Sequence, residues 1–210
     1  MSFYAEHDTD KIIREKYFPD YTYQGIFIEV GGATPEFLSM SKHFKDNGWR
    51  TIIIEPNPNF CKQHRDYENE IYEFACSNFD GFSNFTIVEQ NVMAYGGIVT
   101  DHSFSSLSVK DEYLEKTNFI LNDDNHKIIN VEVKKLDTFL SEIKLDKIDI
   151  LSIDVEGWEL EVLEGLNTDK IKCNLIVVEN LFHNEEYNTF MLNRGYRLVE
   201  KIEYNYIYTR

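Results

Sequence analysis

The chain has 210 residues, 42% hydrophobic and 28% charged, which suits one folded domain with its own core. Its 21 Lys and Arg against 37 Asp and Glu leave a formal charge of −16. That balance argues against a nucleic-acid binder or an anionic membrane surface as partner, because both need clustered basic residues. No apolar stretch approaches the roughly 20 residues of a membrane span. The N-terminal MSFYAEHDTDKIIREKYFPD lacks a signal-peptide core, so cytoplasmic residence is expected.

The first predicted strand is GIFIEV (25–30). PEFLSMSKHFKDNG then reads as a helix, with Pro35 at its first position, Gly48 as its stop, and Phe37, Leu38, Met40 and Phe44 on one face. RTIIIE (50–55) and IYEFAC (71–76) read as the next strands. The stretch from Ser77 to Lys135 breaks the alternation, and its SNFTIVE and IINVEV read as two extra strands around an irregular insertion. KIDILSID (147–154) is the fourth strand and NLIVVE (174–179) the fifth. Between them EGWELEVLEGLN sets Leu160, Leu163 and Leu166 three apart, with Glu159, Glu161 and Glu164 mostly outside. YRLVEK and NYIYT close the chain, the latter as an antiparallel edge strand. The first, second, fourth and fifth runs are continuous rather than alternating, as in strands buried on both faces. Strand alternating with helix implies an open α/β sheet in a single domain over 1–210. Cys61, Cys76 and Cys173 have neither zinc spacing nor an even number, and read as reduced core residues.

In such sheets ligands bind beyond the carboxyl ends of the strands. Four of the five tips here carry a carboxylate: IEVGG, IIEPN, SIDVEG and VVENLF. The EVGGATPEF turn lacks the later glycines of a dinucleotide loop, yet Glu55 is placed to hold two ribose hydroxyls. A nucleoside without a pyrophosphate fits, and S-adenosylmethionine, with its ribose, ammonium and sulfonium, is such a ligand. Glu29 could meet its amino-acid end directly or through water, with Gly31 allowing close approach. Ala75, Cys76 and Ser77 would flank the adenine.

GIFIEVGGATPEFLS, GWRTIIIEPNP, ACSNFDGFSNF, VEVKKLDTFL, KIDILSIDVEGWELEVLEGL, LIVVEN and NRGYRLVE stand in the order found in FkbM-type methyltransferases, which the chain resembles from about Gly25 onward. The resemblance implies a class I Rossmann-like fold with a mostly parallel seven-stranded sheet, S-adenosylmethionine as donor, and O-methylation of sugars or natural products. AEHDTDKIIREKYF is similar to a leader found in a subset of that family, and is read as a helix or a lid within 1–24. In that subset the fifth strand often ends Glu-His-Asn; here it ends Glu179-Asn180-Leu181, with His183 later.

Methylating a hydroxyl requires a base, or a metal that acidifies it. Asp154 and Glu156 would face one cleft if their strand ran to its tip. Asp154, Glu179 and Asn180 on adjacent tips would suit Mg²⁺ or Mn²⁺, a layout that resembles the metal site of catechol O-methyltransferases. Glu156 or His183 would then take the proton. Ser105 and Ser106, within HSFSSLSVK (102–110), would reach the donor or order a loop over it. A non-catalytic nucleoside-binding module and an NAD-linked oxidoreductase stay open as rival readings, as does a homodimer.

Overall fold

The computed structural model describes residues 2–88, 91–94, 97–100, 105–107 and 126–210. A 3-10 turn at Glu6–Asp8 leads into α1 (Thr9–Tyr17). Then come β1 (Ile26–Val30), α2 (Lys42–Asp46), β2 (Arg50–Ile54) and α3 (Pro58–Asp66). Short β3 (Glu70–Tyr72) and β4 (Ala75–Cys76) precede the longer β5 (Gly81–Val88). A hairpin of β6 (Asn91–Ala94) and β7 (Gly97–Thr100) is followed by β8 (His126–Lys134) and α4 (Leu136–Glu142). The last third holds β9 (Lys147–Ile153), α5 (Glu159–Glu164), β10 (Lys172–Glu179), α6 (Glu185–Asn193), β11 (Arg197–Ile202) and β12 (Asn205–Thr209).

The main sheet has seven strands in the order β11-β12-β10-β9-β1-β2-β3. The four continuous apolar runs lie side by side and parallel at its centre, as β10, β9, β1 and β2. Both faces are covered, which is why those runs do not alternate. Ile28, Ile52, Leu151 and Ile176 face the α4–α5–α6 side with Phe139, Leu163 and Met191. Phe27, Ile150 and Val177 face the other side, where Ile13 of α1 and Phe44 of α2 pack. Each fully buried side chain of this kind contributes roughly 1.5–3 kcal/mol. A second sheet, β4-β8-β5, takes β5 and β8 from the insertion, and these two extra strands, predicted there, pair with each other. All three cysteines are buried and free. No described helix is long and apolar enough to cross a membrane.

Three local expectations fail. The helix expected from Pro35 begins only at Lys42, because Leu38 is left-handed (φ +61°) and bridges to Ala5. IYEFAC splits, its first half joining β2 and its second half β8. NYIYT is antiparallel but not an edge: it lies between β10 and β11, which buries Tyr206 and Tyr208.

Candidate active site

The parallel strands β1, β2, β9 and β10 end on one edge, and the acidic tips gather there. Gly31 sets how close the first turn comes to the rest. Its φ of +84° is left-handed, and a Cβ there would stand 1.7 Å from the Asp154 carbonyl oxygen. Its N–H donates to the Ile54 oxygen at 2.9 Å, and the Asp154 N–H donates to the Val30 oxygen at 3.0 Å. The turn is thus joined to the tips of both neighbouring strands.

Glu55 is buried and its carboxylate reaches back across this turn. It accepts from Ala33 N at 3.1 Å and Asn57 N at 2.7 Å. Burial pushes it up to about 7 against the pull of those amides, and the charge of Glu29 adds to the rise. Glu29 is satisfied by the protein itself. Met40 N donates at 2.8 Å and Ser41 N at 3.3 Å, and the Ser39 and Ser41 hydroxyls also donate. It ties down the segment before α2. It too is pushed up to about 7, by burial.

β9 ends at Ile153, so Asp154 and Glu156 do not share a face by strand alternation. The backbone turns instead through left-handed Glu156 (φ +59°) and Gly157 (φ +91°). The acids still converge: one carboxylate oxygen from each of Asp154, Glu156 and Glu179 lies within 4.8 Å of the others. Asp154 is pushed up to about 7, first by desolvation and then by the charge of Glu159. Asp154 keeps a face open to solvent, which weakens the desolvation, so the crowding of like charges is the more durable cause. Glu179 is raised well above the usual carboxylate range by desolvation, then by Asp154, Glu156 and Glu159. The two carboxylates push each other's protonation apart: Glu179 is raised by the charge of Asp154, and contact with Glu179 partly offsets the rise of Asp154.

Glu159 was expected outside, and it is buried. Its carboxylate accepts from Val155 N at 3.1 Å, Gly157 N at 2.9 Å and the Tyr187 hydroxyl at 2.8 Å. It holds the turn that presents Asp154 and Glu156, reaching back over a helix start as a capping acid does. An acid in the first turn after a glycine was the available signal, but a three-residue leucine spacing hid it.

The other expected residues divide. Asn180 spends both ends of its amide on Asn184, accepting from its N–H at 2.9 Å and donating to its oxygen at 3.0 Å. It closes the turn before α6, and Glu156 rather than Asn180 completes the acidic trio. Exposed His183 sets Nδ1 3.0 Å from the Tyr206 hydroxyl. The Cys76 thiol is buried in the core, so its side chain does not line the cleft. Buried Ser77 accepts from Trp158 Nε1 at 3.1 Å, which links the expected adenine side to the acidic turn. Ser106 donates to the Val155 oxygen at 3.4 Å and so meets that turn as well. Of HSFSSLSVK, residues 102–104 and 108–110 lie outside the described residues.

This rim of carboxylates, raised by one another's charge, fits a cationic ligand, which would relieve the repulsion. Residues 29–198 match the family described as Methyltransferase FkbM domain. Among solved structures the chain is similar to the methyltransferase FkbM from Methylobacillus flagellatus KT, with a TM-score of 0.50 at 13% identity over 92% of this chain. It spans 46% of that protein, less than half its length. It also resembles a precorrin-6y C5,15-methyltransferase from Geobacter metallireducens GS-15, with a TM-score of 0.44 at 14% identity, covering 89% of this chain and 80% of that one. No curated protein matches the chain. The first structural likeness bears on the fold alone; the family match covers most of the sequence.

Proposed function

The chain belongs to the FkbM methyltransferase family, and from that premise we propose that it is an S-adenosylmethionine-dependent O-methyltransferase acting on a carbohydrate hydroxyl. Membership implies methyl transfer and use of that donor. Bound here, the donor supplies an electrophilic methyl on a positively charged sulfur. Glu55 holds the ribose hydroxyls, Gly31 admits the amino-acid end to the backbone, and Ala75 to Ser77 border the adenine. The observation that carries the reading is the acidic trio beside the Gly31 turn.

Asp154 takes the proton of the acceptor hydroxyl, and its rise to about 7 leaves it basic enough to do so near neutral pH. Glu156 and Glu179 orient the hydroxyl and oppose the donor's positive charge. The trio also offers three oxygens to a hard divalent cation such as Mg²⁺ or Mn²⁺. A cation there would lower the pKa of the hydroxyl, and the proton would still pass to a carboxylate oxygen or to water.

The test is a donor-dependent assay over a panel of sugars, sugar nucleotides and glycans, with and without EDTA. Asp154→Asn is expected to lower turnover by about 10²–10⁴-fold, the contribution of a general base, while S-adenosylhomocysteine still binds. Near-full activity in that variant overturns the assignment. Full activity in EDTA removes the cation and leaves the carboxylate base.

A further inference from the structure

We propose that the stacked rings of His183 and Tyr204 form the wall against which the acceptor lies, and that the acceptor is an uncharged sugar ring. The inference rests on the methyltransferase reading above and narrows it, because it sets aside phosphate-bearing acceptors such as nucleotide sugars.

The placement comes from the sheet. Tyr204 sits at the tip of the β11–β12 hairpin, on the same edge as the acids. Its backbone oxygen accepts from Asn180 N at 2.7 Å, and the next residue, Asn205, stands opposite Glu179 in register. Strands lie about 4.8 Å apart. Tyr204 is therefore one strand from Glu179 and two from Asp154, on the side away from the Gly31 turn. That leaves the donor on one flank of the trio and the two rings on the other.

The rings are built to present a surface. Their centroids are 5.6 Å apart with planes inclined by 29°. Both are exposed, whereas Tyr206 and Tyr208 of the adjoining strand are buried. His183 is held from beneath by the Tyr206 hydroxyl and carries a left-handed backbone, φ +52°. Such a conformation is disfavoured for a residue with a side chain. An anchored ring that remains exposed to solvent, beside the Tyr204 ring and 6.0 Å from the Tyr206 ring, is a platform. Flat aromatic faces complement the C–H face of a sugar, and carboxylates beside them accept its hydroxyl protons.

Charge selects among sugars. Asp154, Glu156, Glu159 and Glu179 act on one another as like charges. Against them Lys201 sits over the Tyr206 ring, its Nζ 4.6 Å from the centroid. Among the described residues, a phosphate brought to this rim would meet more repulsion than attraction. His183 thus serves as a binding surface in this account, and the proton goes to Asp154.

Saturation-transfer NMR on the protein loaded with S-adenosylhomocysteine tests this, with methyl glucoside and methyl galactoside as neutral probes and glucose 1-phosphate as the anionic one. The neutral glycosides should give signals and the phosphate should not. Tyr204→Ala and His183→Ala should each weaken glycoside binding at least about fivefold, with S-adenosylhomocysteine affinity unchanged by calorimetry. Tyr204→Phe should retain binding. The Tyr204 contact to Asn180 is through its backbone, so these variants keep the hairpin tie. Unchanged glycoside binding in Tyr204→Ala, absent glycoside binding in the wild type, or equal binding of glucose 1-phosphate overturns the wall. Failure of S-adenosylhomocysteine to bind the wild type would instead overturn the methyltransferase reading.

Discussion

Gly31→Ala separates two physical effects at the junction of the candidate donor and acceptor sites. The new Cβ would be left-handed at φ +84° and would stand 1.7 Å from the Asp154 carbonyl oxygen. A left-handed residue with a side chain costs roughly 1–2 kcal/mol. Overpacking against backbone, which cannot rotate away, costs roughly 1–3 kcal/mol more. At about 2–4 °C per kcal/mol for a domain of this size, the melting temperature should fall by about 4–20 °C. Gly195→Ala is the control, since Gly195 has φ +79° with nothing within 4 Å of its Cβ. It carries the conformational cost alone and should lose only about 2–8 °C. Scanning fluorimetry reads both, and calorimetry with S-adenosylhomocysteine should show weaker binding in Gly31→Ala only. Equal melting shifts in the two variants, with unchanged ligand affinity, would refute the claim that this turn is pressed against the Asp154 tip.

Other outcomes follow from the same rim. Glu55→Ala should weaken S-adenosylhomocysteine by about 10–100-fold, the contribution of hydrogen bonds to a charged group, and calorimetry reads it; an unchanged affinity would remove Glu55 from the ribose. Glu159→Ala leaves the Val155 and Gly157 amides and the Tyr187 hydroxyl without their acceptor. It should cost roughly 2–4 kcal/mol by urea unfolding, since each orphaned buried donor costs about 1–3 kcal/mol. Glu29, Glu55 and Asp154 are each pushed up to about 7, so the fold binds more protons than the unfolded chain between the usual carboxylate range and that value. Stability is then present at low pH and lost as pH rises through about 7. The ligand-free protein should melt higher at about pH 5.5 than at about pH 8, and a melting temperature that rises across that window would contradict the assigned shifts.

The sequence carried the central sheet because its four inner strands are continuous apolar runs, and only burial on both faces explains such runs. It carried the acidic edge as well, since strand tips can be read once the strands are known. What it could not carry is the path of the backbone past those tips. Asp154 and Glu156 were expected together through strand alternation; they meet through two left-handed residues that no periodicity announces. Glu29 looked like a ligand because its four donors come from residues 39–41, a segment whose apolar spacing suggested helix. Glu159 looked like a solvated helix face because its partners, Gly157 and Tyr187, are on different elements. Asn180 looked like a ligand because its amide's partner lies four residues onward in an irregular turn.

Calorimetric titration of S-adenosylmethionine and S-adenosylhomocysteine into the wild type and Asp154→Asn measures what the acidic rim does. The two ligands differ by a methyl and by the positive charge on sulfur. Both should bind the wild type, and Asp154→Asn should weaken the charged ligand several-fold more than the neutral one. Equal losses for the two ligands, or no binding of either at about millimolar concentration, would contradict the account.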